Sequence, residues 1–213
     1  MRIVCISDTH NHSLSNLNLP EGDVLVHAGD ATMYGGTKEL QNFVDQMAEL
    51  PFKHKLFVPG NHDFNTDKAG FKLATQHAFT TLIDEEIAID GVRFYGFPWV
   101  PNLPRWAYHM SFEREEMMCD SIPEGVDVVI SHGPPWKILD RTIHHSPHYG
   151  SEGLLNRLLK IKPKYSVFGH VHSGYGELEL NGTRFLNVSV CDEQYAPTNR
   201  PTLIEYTKET QNG

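Results

Sequence analysis

The chain has 213 residues, of which 39% are hydrophobic and 21% charged, which is the composition of an ordinary globular protein. Its 18 basic and 27 acidic residues leave a net charge of −9, which argues against stable binding to nucleic acid or to an anionic membrane, because both need a basic surface. The 3 cysteines are too few for a disulfide framework, and no segment approaches the roughly 18 apolar residues of a membrane span, so we expect a soluble protein of the reducing cytoplasm.

The first third of the chain predicts a parallel sheet. Short apolar runs at 3–6, 23–26 and 55–58 are typical of buried strands. Between the second and third runs, residues 37–50 carry apolar side chains at helical spacing, with Thr37 as the expected N-cap. Because a helix joins these two strands, we expect them to be parallel.

The rest of the chain predicts a second strand–helix pattern flanked by hairpins. Asp90-Gly91 is typical of a type I′ turn between strands 86–89 and 92–97. Further helices are expected at 67–78, 111–119 and 151–159, strands at 126–130 and 165–168, a second hairpin at 176–180 and 183–188, and a closing strand at 202–206. The pattern indicates one mixed α/β domain over residues 1–213, with two sheets and a frayed tail at 207–213.

Histidine is the unusual feature of the composition, with 13 residues. Imidazole is the commonest metal ligand in proteins, and several of these histidines follow predicted strands together with carboxylate and amide side chains. The carboxyl ends of parallel strands share one edge of a sheet, so we expect these side chains to meet there. The candidate residues are Asp8, His10, Asp30, Asn61, His62, His132, His170 and His172.

The spacing within the candidate set has its own meaning. In an extended chain, residues two apart project to the same side, so Asp8 with His10 and His170 with His172 could each grip one ion or two adjacent ions. By the same reasoning His62, directly after Asn61, should point away from it and be free for proton transfer.

The donor set is composed of carboxylates, one amide oxygen and imidazoles, without a thiolate. This set suits manganese, iron or zinc rather than a cysteine-rich structural zinc. With His62 set aside for proton transfer, the seven remaining donors are too many for one tetrahedral site, whereas two divalent ions sharing a carboxylate would use them all. Two such ions can clamp the attacking and leaving oxygens of a phosphoryl displacement, and would supply the positive field that this acidic chain lacks.

These motifs resemble those of the calcineurin-like metallophosphoesterases. The family's ordered signature D-x-H, G-D, G-N-H-[DE], H, G-H-x-H is present at 8–10, 29–30, 60–63, 132 and 169–172. The segments 96–101, 131–135 and 168–176 extend the resemblance to small intracellular phosphodiesterase-like members. The resemblance covers essentially the whole chain and implies a four-layer α/β/β/α sandwich of two mixed sheets.

The resemblance also implies roles for the candidate residues. Asp8, His10 and His172 would hold one divalent transition-metal ion, and Asn61, His132 and His170 the other. Asp30 would bridge the two ions, with manganese expected first and iron or zinc as alternatives. A bridging water or hydroxide would attack the phosphorus of a small phosphate ester, and His62 would contact the phosphate or protonate the leaving oxygen.

One departure from the family pattern concerns the residues after Asp30. Members that resemble protein Ser/Thr phosphatases carry Asp-Arg-Gly shortly after the Gly-Asp block, whereas residues 31–36 here contain no arginine. This difference weakens the case for a phosphoprotein substrate. It also leaves the group that orients His62 open, with Asp63 as a candidate.

The substrate is expected to be a small phosphodiester rather than a monoester, and the resemblance to the phosphodiesterase-like members implies a nucleotide or a cyclic nucleotide. The only basic residues near the motifs are Arg105, Lys137 and Arg141, and the tryptophans Trp99, Trp106 and Trp136 could form a stacking wall. A non-catalytic nucleotide-binding regulator, a nuclease and a phosphomonoesterase remain alternatives. His27 is expected to pack near the site without ligating, and His144, His145 and His148 to form a solvated or lid loop.

Overall fold

Strands make up most of the regular structure in this computed structural model, which describes residues 1–68, 70–143 and 147–207. The strands are Arg2–Ile6 (β1), Val24–His27 (β2), His54–Phe57 (β3), Thr80–Thr81 (β4), Glu85–Ile89 (β5), Val92–Phe97 (β6), Val100–Pro101 (β7), His109–Met110 (β8), Val128–Ser131 (β9), Tyr165–Phe168 (β10), Gly176–Leu180 (β11), Thr183–Asn187 (β12) and Thr202–Glu205 (β13). The helices are Thr37–Glu49 (α1), Phe71–Thr75 (α2), Phe112–Asp120 (α3) and Glu152–Ile161 (α4), with 3₁₀ turns at Leu14–Leu17 and His172–Gly174.

The strands form two large mixed sheets and one small ribbon. The first sheet has the order β13-β1-β2-β3-β4, in which β1 to β4 are parallel and β13 is antiparallel. The second has the order β11-β12-β10-β9-β6-β5, with four parallel central strands and antiparallel hairpins at both edges. β7 and β8 pair separately.

Three apolar clusters separate the layers. The largest lies between the sheets and includes Ile3, Val26, Phe94 and Val167. A second cluster packs α1 on the outer face of the first sheet, and a third packs α3 and α4 on the outer face of the second. The resulting order is helix, sheet, sheet, helix, which confirms the expected sandwich. It also explains the continuous apolar runs, because strands covered on both faces have no solvent side.

Several predicted helix boundaries are wrong for local reasons. Thr37 is the first residue of α1 rather than its N-cap; that position is taken by Gly36, whose backbone N–H donates to the Glu39 carboxylate over 2.9 Å. The helix expected at 67–78 is reduced to α2, preceded by Gly70 in a left-handed conformation at φ 97°. The Asp90-Gly91 turn has the two positive φ angles that its sequence predicts, 48° and 80°.

The expected tail lies largely outside the described part of the chain. Thr207 is described, and its carbonyl accepts a hydrogen bond from Lys164 Nζ over 2.8 Å. Residues 208–213 fall outside it. Among the described helices, none combines the length and the apolar character needed to cross a bilayer.

Candidate metal centre

The candidate residues gather where the carboxyl ends of both sheets meet. Asp8, Asp30 and Asn61 follow strands β1, β2 and β3 of the first sheet. The candidate histidines of the second sheet follow β9 and β10. The two edges are joined directly, because Ser7 forms an isolated parallel bridge to Ser189, just beyond β12. Residues from opposite layers are thereby brought into one site.

Asp8, His10 and His172 form the first half of this centre. Their ligand atoms lie within 4.8 Å of one another. The Nε2 atoms of His10 and His172 are 3.2 Å apart, and Asp8 Oδ1 lies 3.5 Å from His172 Nε2. The Asp8 carboxylate is also fixed by its surroundings, since it accepts hydrogen bonds from His170 N at 3.0 Å and from Ser189 Oγ at 2.6 Å.

Asp30, His132 and His170 form the second half, and their ligand atoms also lie within 4.8 Å of one another. His132 Nε2 is 3.3 Å from Asp30 Oδ1 and 2.9 Å from Asn61 Oδ1. Asp30 faces the first half as well, because its Oδ2 is 3.9 Å from His10 Nε2. Its position between the halves is the one that a shared ligand would need.

The backbone reaches this geometry by tight turns at the candidate ligands themselves. Asp8, His10, Asp30 and His170 all have positive φ, between 39° and 67°. The expectation that Asp8-x-His10 and His170-x-His172 are extended is therefore wrong, although both pairs do face the centre. His62 likewise lies in a turn rather than an extended segment. Left-handed residues of this kind are costly and concentrate at functional sites.

Two glycines are required by the closeness of these turns. A Cβ atom on Gly60 would collide with Asp30, and one on Gly169 would collide with Asp8 and Ser7. The absence of a side chain is what lets the backbone approach the carboxylates.

Backbone carbonyls aim the histidine rings. His132 Nδ1 donates to the Ala28 carbonyl over 2.9 Å, and His172 Nδ1 donates to the Asp192 carbonyl over 2.8 Å. A donating Nδ1 turns Nε2 toward the centre, which is the arrangement that supports metal-ligating histidines.

The ionisation of the centre is strongly perturbed. Burial alone would lower the pKa of His132 and His172, but the carboxylates of Asp30 and Asp8 outweigh it and raise both values to about 9. Burial would raise the pKa of Asp8, but the hydrogen bond and charge of His172 hold it well below its usual range. His170 behaves differently, because burial and the nearby His132 charge lower its pKa to about 4.

The chemistry of these donors fits a pair of cations. His10 Nδ1 is buried without a hydrogen-bond partner, and its Nε2 faces another imidazole nitrogen and two carboxylates. A divalent cation would satisfy these facing nitrogens and carboxylates together. Oxygen and imidazole donors without thiolate suit manganese, iron or zinc.

His62 lies beside this centre and is oriented by the main chain. Its Nδ1 donates to the Met33 carbonyl over 2.8 Å, and its Nε2 is 3.9 Å from Asp30 Oδ2. Asp63 is not the orienting group, because its buried carboxylate accepts instead from Gly60 N and from Thr32 N and Oγ1. The candidate role of Asp63 as the orienting group is therefore wrong. A backbone carbonyl carries no sequence signal, so this partner could not be found from the motifs.

A cavity of about 220 Å³ opens over the centre. Its described lining contains no lysine or arginine. It consists of Asp30, Asn61, His62, Thr142, Tyr149, His170, Val171, His172, Glu193 and Tyr195. Burial, together with the charges on Asp30 and Asp8, raises the pKa of Tyr195.

Of the three tryptophans expected to form a stacking wall, Trp106 lies beside His62, whereas Trp99 and Trp136 do not line the cavity. Trp99 Nε1 donates to Asp84 over 2.8 Å, and Trp136 carries Lys137 Nζ 3.8 Å above its ring. Neither tryptophan lines the cavity. Trp106 and Tyr195 lie closer to the centre, with ring centroids 4.4 Å and 6.5 Å from that of His62. No motif marks Tyr195, which is why the sequence reasoning missed it.

Two expectations remain for histidines outside the candidate ligand set, one for His27 and one for the loop with His144, His145 and His148. His27 is fully buried 2.9 Å from Thr9 Oγ1, and burial lowers its pKa to about 3, which agrees with a packed, non-ligating residue. His148 Nδ1 lies 2.6 Å from the buried Asp140 carboxylate. His144 and His145 lie outside the described residues, so the expectation of a solvated or lid loop stays a prediction there.

Comparisons with known proteins place this geometry in context. A family model described as calcineurin-like phosphoesterase matches residues 1–174. Metallophosphoesterase domain-containing protein 1 of Homo sapiens is 35% identical, with 96% of this chain and 70% of that protein covered. A UPF0046 protein of Caenorhabditis elegans is 34% identical, with 99% and 77% covered.

Solved structures share the fold at low identity. One crystal structure has a TM-score of 0.65 at 17% identity and covers 87% of this chain and 89% of its own. The Plasmodium protein GAP50, an anchor in the inner membrane complex, has a TM-score of 0.53 at 13% identity, with 89% and 71% covered. These similarities concern the fold alone.

Proposed function

The chain belongs to the calcineurin-like phosphoesterase family, and we propose that it is a binuclear metal-dependent phosphoesterase that hydrolyses a small phosphodiester of the nucleotide or cyclic-nucleotide type. The observation that carries the proposal is the convergence of carboxylates, an amide and imidazoles at the open edge of both sheets. The donor set favours manganese, with iron or zinc as alternatives.

The residues divide between two ions in this proposal. Asp8, His10 and His172 would hold one, and Asn61, His132 and His170 the other. Asp30, which faces both groups, would contact both ions. Divalent ions at this position neutralise phosphate charge and lower the pKa of water enough for it to attack phosphorus.

His62 is the proposed proton donor. Its Nδ1–H is committed to the Met33 carbonyl, so the ring presents Nε2 on the side of Asp30 and the cavity. In the imidazolium form, Nε2 carries a proton that the leaving oxygen can take. Trp106 packs against the ring, with centroids 4.4 Å apart, and restricts its rotation.

A diester is favoured over a monoester by the charge around the cavity. A monoester carries a second negative charge, and no lysine or arginine lines the described cavity wall to meet it. The Lys137 ammonium lies over the Trp136 ring in a cation–π contact, and Arg105 and Arg141 are exposed but do not line the cavity. The single charge of a diester matches the site better.

The test is a substrate panel on the purified protein loaded with manganese, iron or zinc. Nitrophenyl phosphodiesters and cyclic nucleotides are expected to give higher kcat/KM than matched monoesters, with about two ions per chain by elemental analysis. A preference for monoesters by about tenfold would overturn the diester assignment. Nucleotide binding without turnover under every metal would instead indicate a non-catalytic regulator, and degradation of single-stranded DNA a nuclease.

A further inference from the structure

The loop at 191–199 is a built structure outside the matched family segment. The Asp192 side chain accepts from the backbone N–H groups of Gln194 and Ala196 over 2.9 and 3.0 Å. Its backbone N–H donates to the Ala196 carbonyl over 2.8 Å. Within this turn Tyr195 has a positive φ of 61°, a conformation that a bulky residue rarely adopts. The loop therefore fixes Tyr195 at a conformational cost.

The same loop is tied to the candidate ligands. The Asp192 carbonyl accepts from both Tyr195 N, over 2.9 Å, and His172 Nδ1, over 2.8 Å. His12 Nε2 donates to the Tyr195 carbonyl over 2.8 Å. The Tyr195 ring then packs edge-on against His10, with centroids 4.7 Å apart, and lies 5.2 Å from His172. One carbonyl thus sets the position of a candidate ligand and of Tyr195 together.

The Tyr195 side chain faces the cavity with a free hydroxyl. It lines the cavity beside Asp30, and the residue is 41% exposed. In the part of the chain that the structure describes, its hydroxyl makes no hydrogen bond. By contrast, the Tyr108 hydroxyl meets Thr66 and the Tyr175 hydroxyl donates to the Arg200 carbonyl. The Tyr195 hydroxyl is therefore available to donate to a ligand in a cavity whose described lining has no basic side chain.

We propose that the Tyr195 hydroxyl donates a hydrogen bond to a non-bridging oxygen of the bound phosphate group. This inference rests on the proposed function and deepens it. A neutral donor adds no positive charge, so it suits the monoanion of a phosphodiester better than the dianion of a monoester. Tyr195 would therefore be a substrate-binding residue contributed by the loop at 191–199.

The test compares Tyr195→Phe with Tyr175→Phe in protein loaded with manganese. Both changes remove one hydroxyl, but Tyr175 lies outside the cavity. Calorimetric titration with inorganic phosphate is expected to show about tenfold weaker binding for Tyr195→Phe, the size of one hydrogen bond to a charged acceptor. A similar drop in kcat/KM for bis(4-nitrophenyl) phosphate is expected, with unchanged metal content and with Tyr175→Phe matching the wild type.

The two readouts separate this inference from the proposed function. Phosphate affinity within about twofold of the wild type would overturn the role of Tyr195 and leave the phosphoesterase proposal standing. Loss of bound metal from Tyr195→Phe would also overturn it, because the hydroxyl would then support the metal centre instead of the substrate phosphate. If the wild type hydrolyses no ester, the function fails while the phosphate titration still decides the role of Tyr195.

Discussion

His62 is held at one ring nitrogen by the Met33 carbonyl and open to the cavity at the other. Its ring lies within 4.8 Å of the ligand atoms of His10 and Asp30, but the proposed function gives it proton transfer and not a place in the ligand set. A residue placed in this way can transfer a proton without being needed to retain an ion. The distinction leads to a kinetic prediction.

Replacing His62 by Ala should leave metal content unchanged and lower turnover by about two to four orders of magnitude for poor leaving groups, the usual contribution of a general acid. The loss should be much smaller for nitrophenyl esters, because their leaving oxygens need no proton. Steady-state rates across a series of leaving groups measure the difference. The exposed His77 gives the matched His77→Ala control. An equal loss for all leaving groups would instead make His62 a phosphate-binding residue.

Two histidines of the candidate centre hold their protons more strongly than an ordinary histidine does. His132 and His172 have pKa values raised to about 9, against their burial, by the charges of Asp30 and Asp8. Because both pKa values lie above that of an ordinary histidine, protonation of these two residues stabilises the folded state. This stabilisation is complete at pH values below the ordinary histidine pKa. It is lost as the pH rises through about 9. Metal binding must displace the same protons.

We therefore expect manganese affinity to rise with pH up to about 9 and to level off above it. Binding at pH 7.5 should release protons, which calorimetry in two buffers of different ionisation enthalpy measures directly. The metal-free protein should also unfold more easily at pH 10 than at pH 7. Binding without proton release would show that these histidines are already neutral.

For individual residues, the sequence predicted which side chains gather at the candidate centre but not the contacts that support them. Asp8, Asp30, Asn61 and His132 could be found because parallel strands end at a common edge. The Met33 and Asp192 carbonyls could not, since any residue type supplies a carbonyl. Tyr195 carries no motif, and its approach to His10 depends on a turn that closes only in the folded chain.

Among the elements, the segment between β2 and α1 matters most for His62. The Glu39 carboxylate on α1 accepts from the backbone N–H groups of Met33, Tyr34 and Gly36. Asp63 holds the earlier part through Thr32 N and Oγ1. Two carboxylates thus fix the segment that presents the Met33 carbonyl to His62.

Replacing Glu39 by Gln should disturb this segment, because the amide NH2 would face backbone donors. The expected result is a fall in kcat of about tenfold for poor leaving groups, with little change in KM, since His62 loses its orientation while substrate binding persists. Nitrophenyl esters should be affected less. Glu49→Gln, on the exposed last turn of the same helix, is the matched control. A uniform loss for every substrate would indicate a purely structural role for Glu39.

The elements themselves could be predicted to the extent that apolar periodicity fixes them. α1, the buried strands and the two hairpins were found near their true bounds, because each has an apolar face to bury. The helix expected at 67–78 was too long, since its composition is helical but Gly70 turns the chain. β4, β7 and β8 have only 2 residues each, too few to show a period.

In the whole molecule, the centre is also a junction between the two sheets. Asp8, Asp30 and Asn61 come from the first sheet, whereas His132 and His170 come from the second. The sequence predicted two sheets but not that β6 and β9 would be parallel neighbours, a pairing set by packing between distant segments. Cations bound at the junction would hold ligands from both layers and therefore oppose their separation.

Metal loading should consequently raise the unfolding temperature of the whole chain. A cation at about 100 times its dissociation constant adds about 2.7 kcal/mol to the stability of the folded state. For a domain of this length that gain corresponds to a shift of roughly 5–10 °C, measurable by differential scanning calorimetry with and without manganese. His62→Ala should show the full shift, because His62 is outside the proposed ligand set. Asp30→Asn should lose most of it, because Asp30 faces both halves, and Asn61→Ala should lose less. An equal shift in all three variants would show that the stabilising metal binds elsewhere.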